Sequence, residues 1–160
     1  MSQSSPSPET LNIARQGGVM EIRFNRPHRL NAVVEALYAD LLEALYSAEA
    51  DDDIRAVILT GEGRAFCVGA DMKEHGGAKR TLFQRRQYLQ LGNDVCEAIL
   101  RLRKPVIAAV NGYALGAGAR WRFPVTSLSW PTTRRSASRK PVSVPVSVAV
   151  FPRSCRSWWG

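Results

Sequence analysis

A chain of 160 residues and 17.7 kDa, 45% hydrophobic and 22% charged, is long enough for one globular domain with a buried core and too short for two ordinary ones. No run of about 18 apolar residues occurs, which excludes a membrane-spanning helix, and Met1 to Thr10 lacks the basic start and apolar centre of a secretory signal. The formal charge of +8 suggests a nucleic-acid binder only until it is divided: residues 1–120 carry 15 Lys/Arg and all 14 Asp/Glu, whereas residues 121–160 carry seven Lys/Arg and no acid.

In chain order, a Ser/Pro-rich segment over residues 1–14 is expected to be unstructured. Val19 to Phe24 alternates, with Met20, Ile22 and Phe24 on one face, as a half-buried strand does, and Asn25-Arg26-Pro27 ends it. From Val33 to about Ala50, Leu37, Leu41, Leu42 and Leu45 mark the apolar stripe of a helix. After the polar break Asp51-Asp52-Asp53, Arg55 to Thr60 reads as a compact buried strand, and Gly61-Glu62-Gly63 turns the chain into a short apolar piece, Ala65 to Val68. A second long helix is expected from about Lys79 to Leu102, with Leu82, Leu89, Val95, Ile99 and Leu102 facing inward; Lys104-Pro105 stops it, and Val106 to Val110 is another buried strand. The order strand, helix, strand, helix, strand over residues 15–120 indicates an α/β domain.

Two glycine-containing loops offer chemistry: Arg64 to Met72, and Asn111 to Ala119 directly after a buried strand. Small residues let backbone approach a ligand closely, and a following helix aims free N–H groups at negative charge. Two such N–H groups from separate loops could form an oxyanion hole, where one donor supplies roughly 2.7–4 kcal/mol of transition-state stabilisation. Taken singly, each loop reads better as a tight turn, glycine turns being common. Neither has the Gly-Lys-Ser/Thr ending of a phosphate loop or the dinucleotide glycine spacing. Cys67, Cys96 and Cys155 have no metal-ligand spacing and are too few for a disulfide scaffold, which fits a reducing, cytoplasmic location; no metal and no separate cofactor are expected. Asp71 and Glu74 could touch a ligand or begin a helix, the helix role being favoured. His28 and His75 read as solvated loop residues, Cys67 as structural, and Arg85-Arg86 and Arg101-Arg103-Lys104 as exposed charge.

Together the loops are far more specific. Asn25-Arg26-Pro27 with Leu30-Asn31-Ala32, then Ala56-Val57-Ile58-Leu59-Thr60-Gly61, Ala65-Phe66-Cys67-Val68-Gly69-Ala70-Asp71, and Lys104 through Gly116 carry a resemblance to the crotonase (enoyl-CoA hydratase/isomerase) superfamily, covering about Gly18 to Ala119. The resemblance implies a spiral of ββα units that binds an acyl-CoA thioester, coenzyme A entering as part of the substrate. It implies that the N–H groups of Ala70 and Ala117 hold the thioester oxygen as it becomes an enolate. Val68, Gly69, Asp71 and Met72 would line the CoA side with Arg29, Leu30 and Ala32 nearby, and Tyr113, Leu115 and Gly116 would shape the acyl pocket. Hydratases of the family use two glutamates. The first stands just after the second glycine loop, where this chain has Arg120, a group that stays protonated and cannot act as a base; the second should follow about twenty residues on, yet no acid follows Glu97. The expectation is a partial, truncated crotonase-like domain without hydratase chemistry, and the family's trimers or hexamers are not carried over to it.

Residues 121–160 change character: they hold all four tryptophans and five of the nine prolines. The family continues past its second loop with Glu-Leu-Ala, Cys-Asp, an acidic loop and Phe-Gly-x-Pro-Glu, none of which is present. Read one nucleotide earlier, with third bases free, the tail's codons can give Leu-Ala, Ser-Cys-Asp-Phe, Ala-Asp-Asp-Ala and Phe-Gly-Phe-Pro-Glu (or Leu for the second Phe) in that order. A frame slip beside Arg120 explains both the composition and this match, and predicts a non-native or disordered basic tail that offers little packing; Val142 to Val148 alternates like a strand, but Pro145 confines it to an edge. Nucleic-acid binding by the tail and a fragment with no function of its own are the competing readings, nucleic acid and membrane not being the expected partners.

Overall fold

The computed structural model describes residues 10–77, 81–121, 127–130 and 147–150. Alternation builds the centre of the main sheet. Met20, Ile22 and Phe24 of β2 (Val19–Phe24) are fully buried, as are Val57 and Leu59 of β3 (Ala56–Gly61), which runs parallel to it in a register pairing Val19 with Ala56 and Phe24 with Gly61. β1 (Leu11–Gln16) flanks β2 as an antiparallel hairpin through the left-handed Gly17-Gly18 turn, and β5 (Val106–Ala109) lies parallel to β3 on the other side. A two-stranded parallel sheet, β4 (Ala65–Cys67) with β6 (Tyr113–Ala114), stands apart and carries the glycine loops. This is the expected α/β layering, a partial ββα spiral.

Helix α1 (Glu35–Ala50) buries Leu37, Tyr38, Leu41, Ala44, Leu45 and Ala48. α3 (Leu82–Arg101) packs beside it, after the short α2 (Met72–Gly77). The start of α3 is set by a reciprocal cap: the Thr81 hydroxyl accepts from the Gln84 backbone N–H at 3.2 Å while the Gln84 side-chain Oε1 accepts from the Thr81 N–H at 2.9 Å. Its inward face differs from the expected one. Val95, Ile99 and Leu102 are buried, but Leu82 and Leu89 are 85% and 64% exposed, and Tyr88 and Gly92 take the contact instead. Tyr88, Gly92, Val95, Ile99 and Leu102 form one i, i+4, i+7 stripe; Leu82 and Leu89 lie off it, and every residue from 82 to 87 is exposed. The close approach of Tyr38 fixes this choice, since a Cβ on Gly92 would sit 3.0 Å from the Tyr38 hydroxyl.

One further expectation is corrected. The segment read as unstructured over residues 1–14 contains most of β1, because Leu11 is fully buried and Ile13 half-buried in the core; residues 1–9 lie outside the described residues. Within the tail read as non-native or disordered, two strands are described: β7 (Ser127–Trp130) lies parallel to β5, and β8 (Ser147–Val150) lies antiparallel on β7 at the sheet edge. The unpaired edge of β5 supplies the backbone donors and acceptors that β7 takes up. Trp121, expected to belong to a core-poor tail, ends α4 (Ala117–Trp121) fully buried, its ring 5.2 Å from Phe24 and 6.0 Å from Tyr38. Of the alternating stretch Val142 to Val148, Ser147 and Val148 lie in β8 at the sheet edge; residues 131–146, Pro145 among them, and residues 151–160 are outside the described residues.

Candidate functional site

The first loop is held by a single parallel bridge. The Val33 N–H donates to the Gly69 carbonyl at 2.7 Å, and the Val33 carbonyl accepts from the Asp71 N–H at 3.0 Å. In a parallel ladder the residue between two bonded neighbours directs its own N–H and C=O the opposite way, so the Ala70 amide faces away from Val33. Among the described residues no acceptor meets the Ala70 N–H.

The second loop reaches the same place from β6. Leu115 donates its N–H to the Cys67 carbonyl at 2.9 Å, and Gly118 and Arg120 begin helical bonding to Leu115 and Gly116, leaving the Ala117 N–H at the open start of α4. The loops touch at Gly69 and Gly116, both left-handed (φ +90° and +53°). A Cβ on Gly69 would lie 3.2 Å from the Gly116 Cα and 3.4 Å from the Ala117 nitrogen, so only glycine allows this approach. Each glycine immediately precedes one of the two candidate donors.

The other sequence-identified residues divide by environment. Val68 and Gly69 lie at the contact, and the apolar side chains of Met72, Tyr113 and Leu115 stand exposed beside it, with Gly116 exposed as well. Arg29 and Leu30 are half-buried in the 3-10 turn Pro27–Arg29 and its left-handed exit, and Ala32 is buried. Asp71 is also buried, and its carboxylate is committed to the protein: Oδ1 accepts from the Lys73 and Glu74 N–H groups, capping α2, and Oδ2 accepts from Arg26 at 3.2 Å. Burial alone pushes this carboxyl up, but the Glu74 N–H, the Arg26 guanidinium and the Lys73 N–H outweigh it and hold its pKa below the ordinary value.

Two asparagines that spacing alone does not single out fasten the loops. Asn31, fully buried with φ +56°, accepts from the Arg26 N–H at 2.9 Å and donates to the Glu62 and Ala65 carbonyls at 3.0 and 2.8 Å. Asn111 accepts from the Gly61 N–H at 3.2 Å and donates to the Gly61 and Gly63 carbonyls, each at 2.8 Å. Both stand in the motifs that carry the resemblance, but nothing in the sequence signals their fastening role beyond an amide side chain next to a turn.

Cys67 is buried under this site, and desolvation pushes its thiol up to about 12 despite hydrogen bonds from Gly69 and Gly118, which removes it as a nucleophile. Arg120 turns outward to the Asn93 amide oxygen at 3.2 Å. His28 is exposed, and the His75 side chain lies outside the described residues. Arg101 and Arg103 pair with Glu97 and Glu49, and Lys104 donates to the Ala48 and Asp51 carbonyls at the end of α1. No group of three or more metal-ligating side chains occurs among the described residues, and no described helix is long and apolar enough to cross a membrane.

A family model described as enoyl-CoA hydratase/isomerase matches residues 14–123. The chain is 38% identical over 117 residues to 4-chlorobenzoyl coenzyme A dehalogenase-2 of Arthrobacter sp, covering 72% of this chain and 42% of that protein. It is 41% identical over 107 residues to 1,2-epoxyphenylacetyl-CoA isomerase of Escherichia coli (strain K12), covering 64% and 40%. The crystal structure of enoyl-CoA hydratase from Bacillus anthracis superposes with a TM-score of 0.69 at 32% identity, over 75% of this chain and 50% of that one. The chain thus spans about two fifths of the length of the curated relatives it matches.

Proposed function

This chain belongs to the enoyl-CoA hydratase/isomerase family, and from that premise we propose that it binds an acyl-CoA thioester, with the thioester oxygen taking both the Ala70 and the Ala117 N–H. The contact between Gly69 and Gly116 supports this reading, because it brings together the residues that precede the two candidate donors. An oxygen gaining negative charge there meets donors fixed in advance, so little reorganisation is needed at the moment of reaction. The exposed side chains of Met72, Tyr113 and Leu115 give the acyl and pantetheine portions an apolar surface beside the hole. Arg29, at the 3-10 turn, suits a CoA phosphate. Asp71 serves by holding the loop rather than by touching the ligand.

The parent activity is hydration or isomerisation of an enoyl-CoA; this polypeptide stabilises charge but lacks the means to move the proton. Arg120 occupies the place of the first family glutamate, and no carboxylate follows Glu97. The frame slip accounts for both losses, and sequencing codons 115–125 tests it directly: an unbroken frame whose shifted reading lacks Phe-Gly-x-Pro-Glu removes that explanation. Binding is tested with an acyl-CoA resin. Retention of the full chain, lost on Ala70→Pro, which deletes one N–H donor, supports the reading; equal retention of both proteins refutes it. The acid-free tail keeps nucleic-acid binding as the second reading, and steeply salt-dependent retention on DNA, abolished by removing residues 121–160, would favour it.

A further inference from the structure

Ala70 works as a donor only if its peptide keeps one orientation, and the bridge from Val33 sets that orientation from one side. Beside that bridge, one side chain joins the residue before Val33 to the start of α2. Arg26 is 12% exposed, and its guanidinium reaches three acceptors: Nη1 donates to the Ala32 carbonyl, and Nη2 to Asp71 Oδ2 at 3.2 Å and Glu74 Oε1 at 3.3 Å. Ala32 immediately precedes the bridging residue, Asp71 immediately follows the donor, and Glu74 lies in the helix capped by Asp71. One planar group thus ties together the two segments whose pairing aims the Ala70 N–H. The backbone of Arg26 is fixed in turn by Asn31.

We propose that Arg26 is a positioning residue, which sets the direction of the Ala70 N–H by clamping the 26–33 segment to the start of α2. The proposal rests on the oxyanion reading above and adds to it the group that keeps the hole in register. A lysine cannot replace this fork, because an ammonium is a point charge on a flexible stem and cannot meet three divergent acceptors in one plane. Removing the guanidinium also takes its ion-pair partner from the 4%-exposed Asp71 carboxylate, a costly change at a buried charge.

The test compares two probes on the full-length chain: phenylacetyl-CoA, whose thioester carbonyl needs the hole, and the thioether S-phenethyl-CoA, which has no carbonyl. The ratio of their dissociation constants isolates the two N–H donors. The wild-type chain is expected to prefer the thioester by about tenfold, the scale of one well-placed hydrogen bond. Arg26→Lys is expected to abolish that preference while changing thioether affinity less than about twofold, and to return the isotope-edited infrared carbonyl band of bound phenylacetyl-CoA toward its position in water. Asp71→Asn, which keeps an equally good helix cap but loses the ion pair, should do the same in lesser degree. If Arg26→Lys fails to fold, Glu74→Gln removes only the half-exposed arm of the fork, and a drop of about twofold in the ratio supports the proposal. An unchanged ratio in these variants, or equal loss of both probes, overturns it and leaves the oxyanion reading standing. No preference in the wild-type chain overturns both.

Discussion

Replacing Gly69 with alanine tests the meeting of the two loops directly. The residue has φ +90°, where a Cβ strains the backbone, and the added carbon would lie 3.2 Å from the Gly116 Cα, 3.2 Å from the Leu115 carbonyl oxygen and 3.4 Å from the Ala117 nitrogen. All three neighbours are backbone and none can swing aside. Strain of roughly 1–2 kcal/mol joins overpacking of roughly 1–3 kcal/mol, a total near 2–5 kcal/mol. Gly17→Ala is the matched control, since Gly17 also has a left-handed φ, +56°, but nothing lies within 4 Å of its Cβ position; it should cost only the strain, roughly 1–2 kcal/mol. Urea unfolding followed by circular dichroism measures both, and the difference between them is the price of forcing the loops apart. The same proteins on acyl-CoA resin should show Gly69→Ala released and Gly17→Ala retained. Equal destabilisation of the two variants, or retention of Gly69→Ala on the resin, would refute the view that a glycine-only contact aligns the donors.

Asn31→Ala removes three hydrogen bonds at a fully buried position and leaves the Glu62 and Ala65 carbonyls without that partner; a loss of about 3 kcal/mol in urea unfolding is expected, and a loss under about 0.5 kcal/mol would show that water or relaxation replaces the amide. The Asp71 carboxyl has a folded pKa below its ordinary value of 3.8, so its contribution to stability is complete above pH 3.8 and is lost as pH falls through the lower folded value. Stability of wild type minus that of Asp71→Asn, followed by denaturant titration, should therefore shrink on acidification below pH 3.8, and a constant difference would count against the Arg26 pairing. Cys67, with its thiol pushed up to about 12, should resist iodoacetamide at pH 8 in the native chain and react in urea at the rate of an ordinary thiol; mapping of the labelled peptide by mass spectrometry decides this, and rapid native labelling of Cys67 contradicts its burial.

Period-based signals made the parallel core legible. Met20, Ile22 and Phe24 announce β2 by alternation, and Leu37, Leu41 and Leu45 announce the buried face of α1 at helical spacing. The same reasoning placed Val95, Ile99 and Leu102 inward as found, but added Leu82 and Leu89 in place of Tyr88 and Gly92, because hydrophobicity favours the leucines while the actual contact depends on how closely Tyr38 approaches. β1 was hidden because only Leu11 and Ile13 point inward and the rest of the strand is exposed. At the site, the two glycine loops and their donors could be identified by resemblance, and the structure brings the loops together. The fastening roles could not, although Arg26, Asn31 and Asn111 lie in the motifs that carry the resemblance: they act through hydrogen bonds to backbone and to the Asp71 carboxylate as far as 50 residues away, and such bonds leave no period in the sequence.

The Val33 bridge makes the aim of the Ala70 amide an either-or matter. Successive peptides of an extended chain point to opposite edges, so lengthening or shortening the stretch between Gly61 and Gly69 by one residue would turn the neighbouring amide outward and invert the polarity presented to a ligand. A binding loop built in this way can be retuned by exchanging side chains around it, but its length cannot drift by single steps without passing through a form that offers an oxygen where a proton donor is needed.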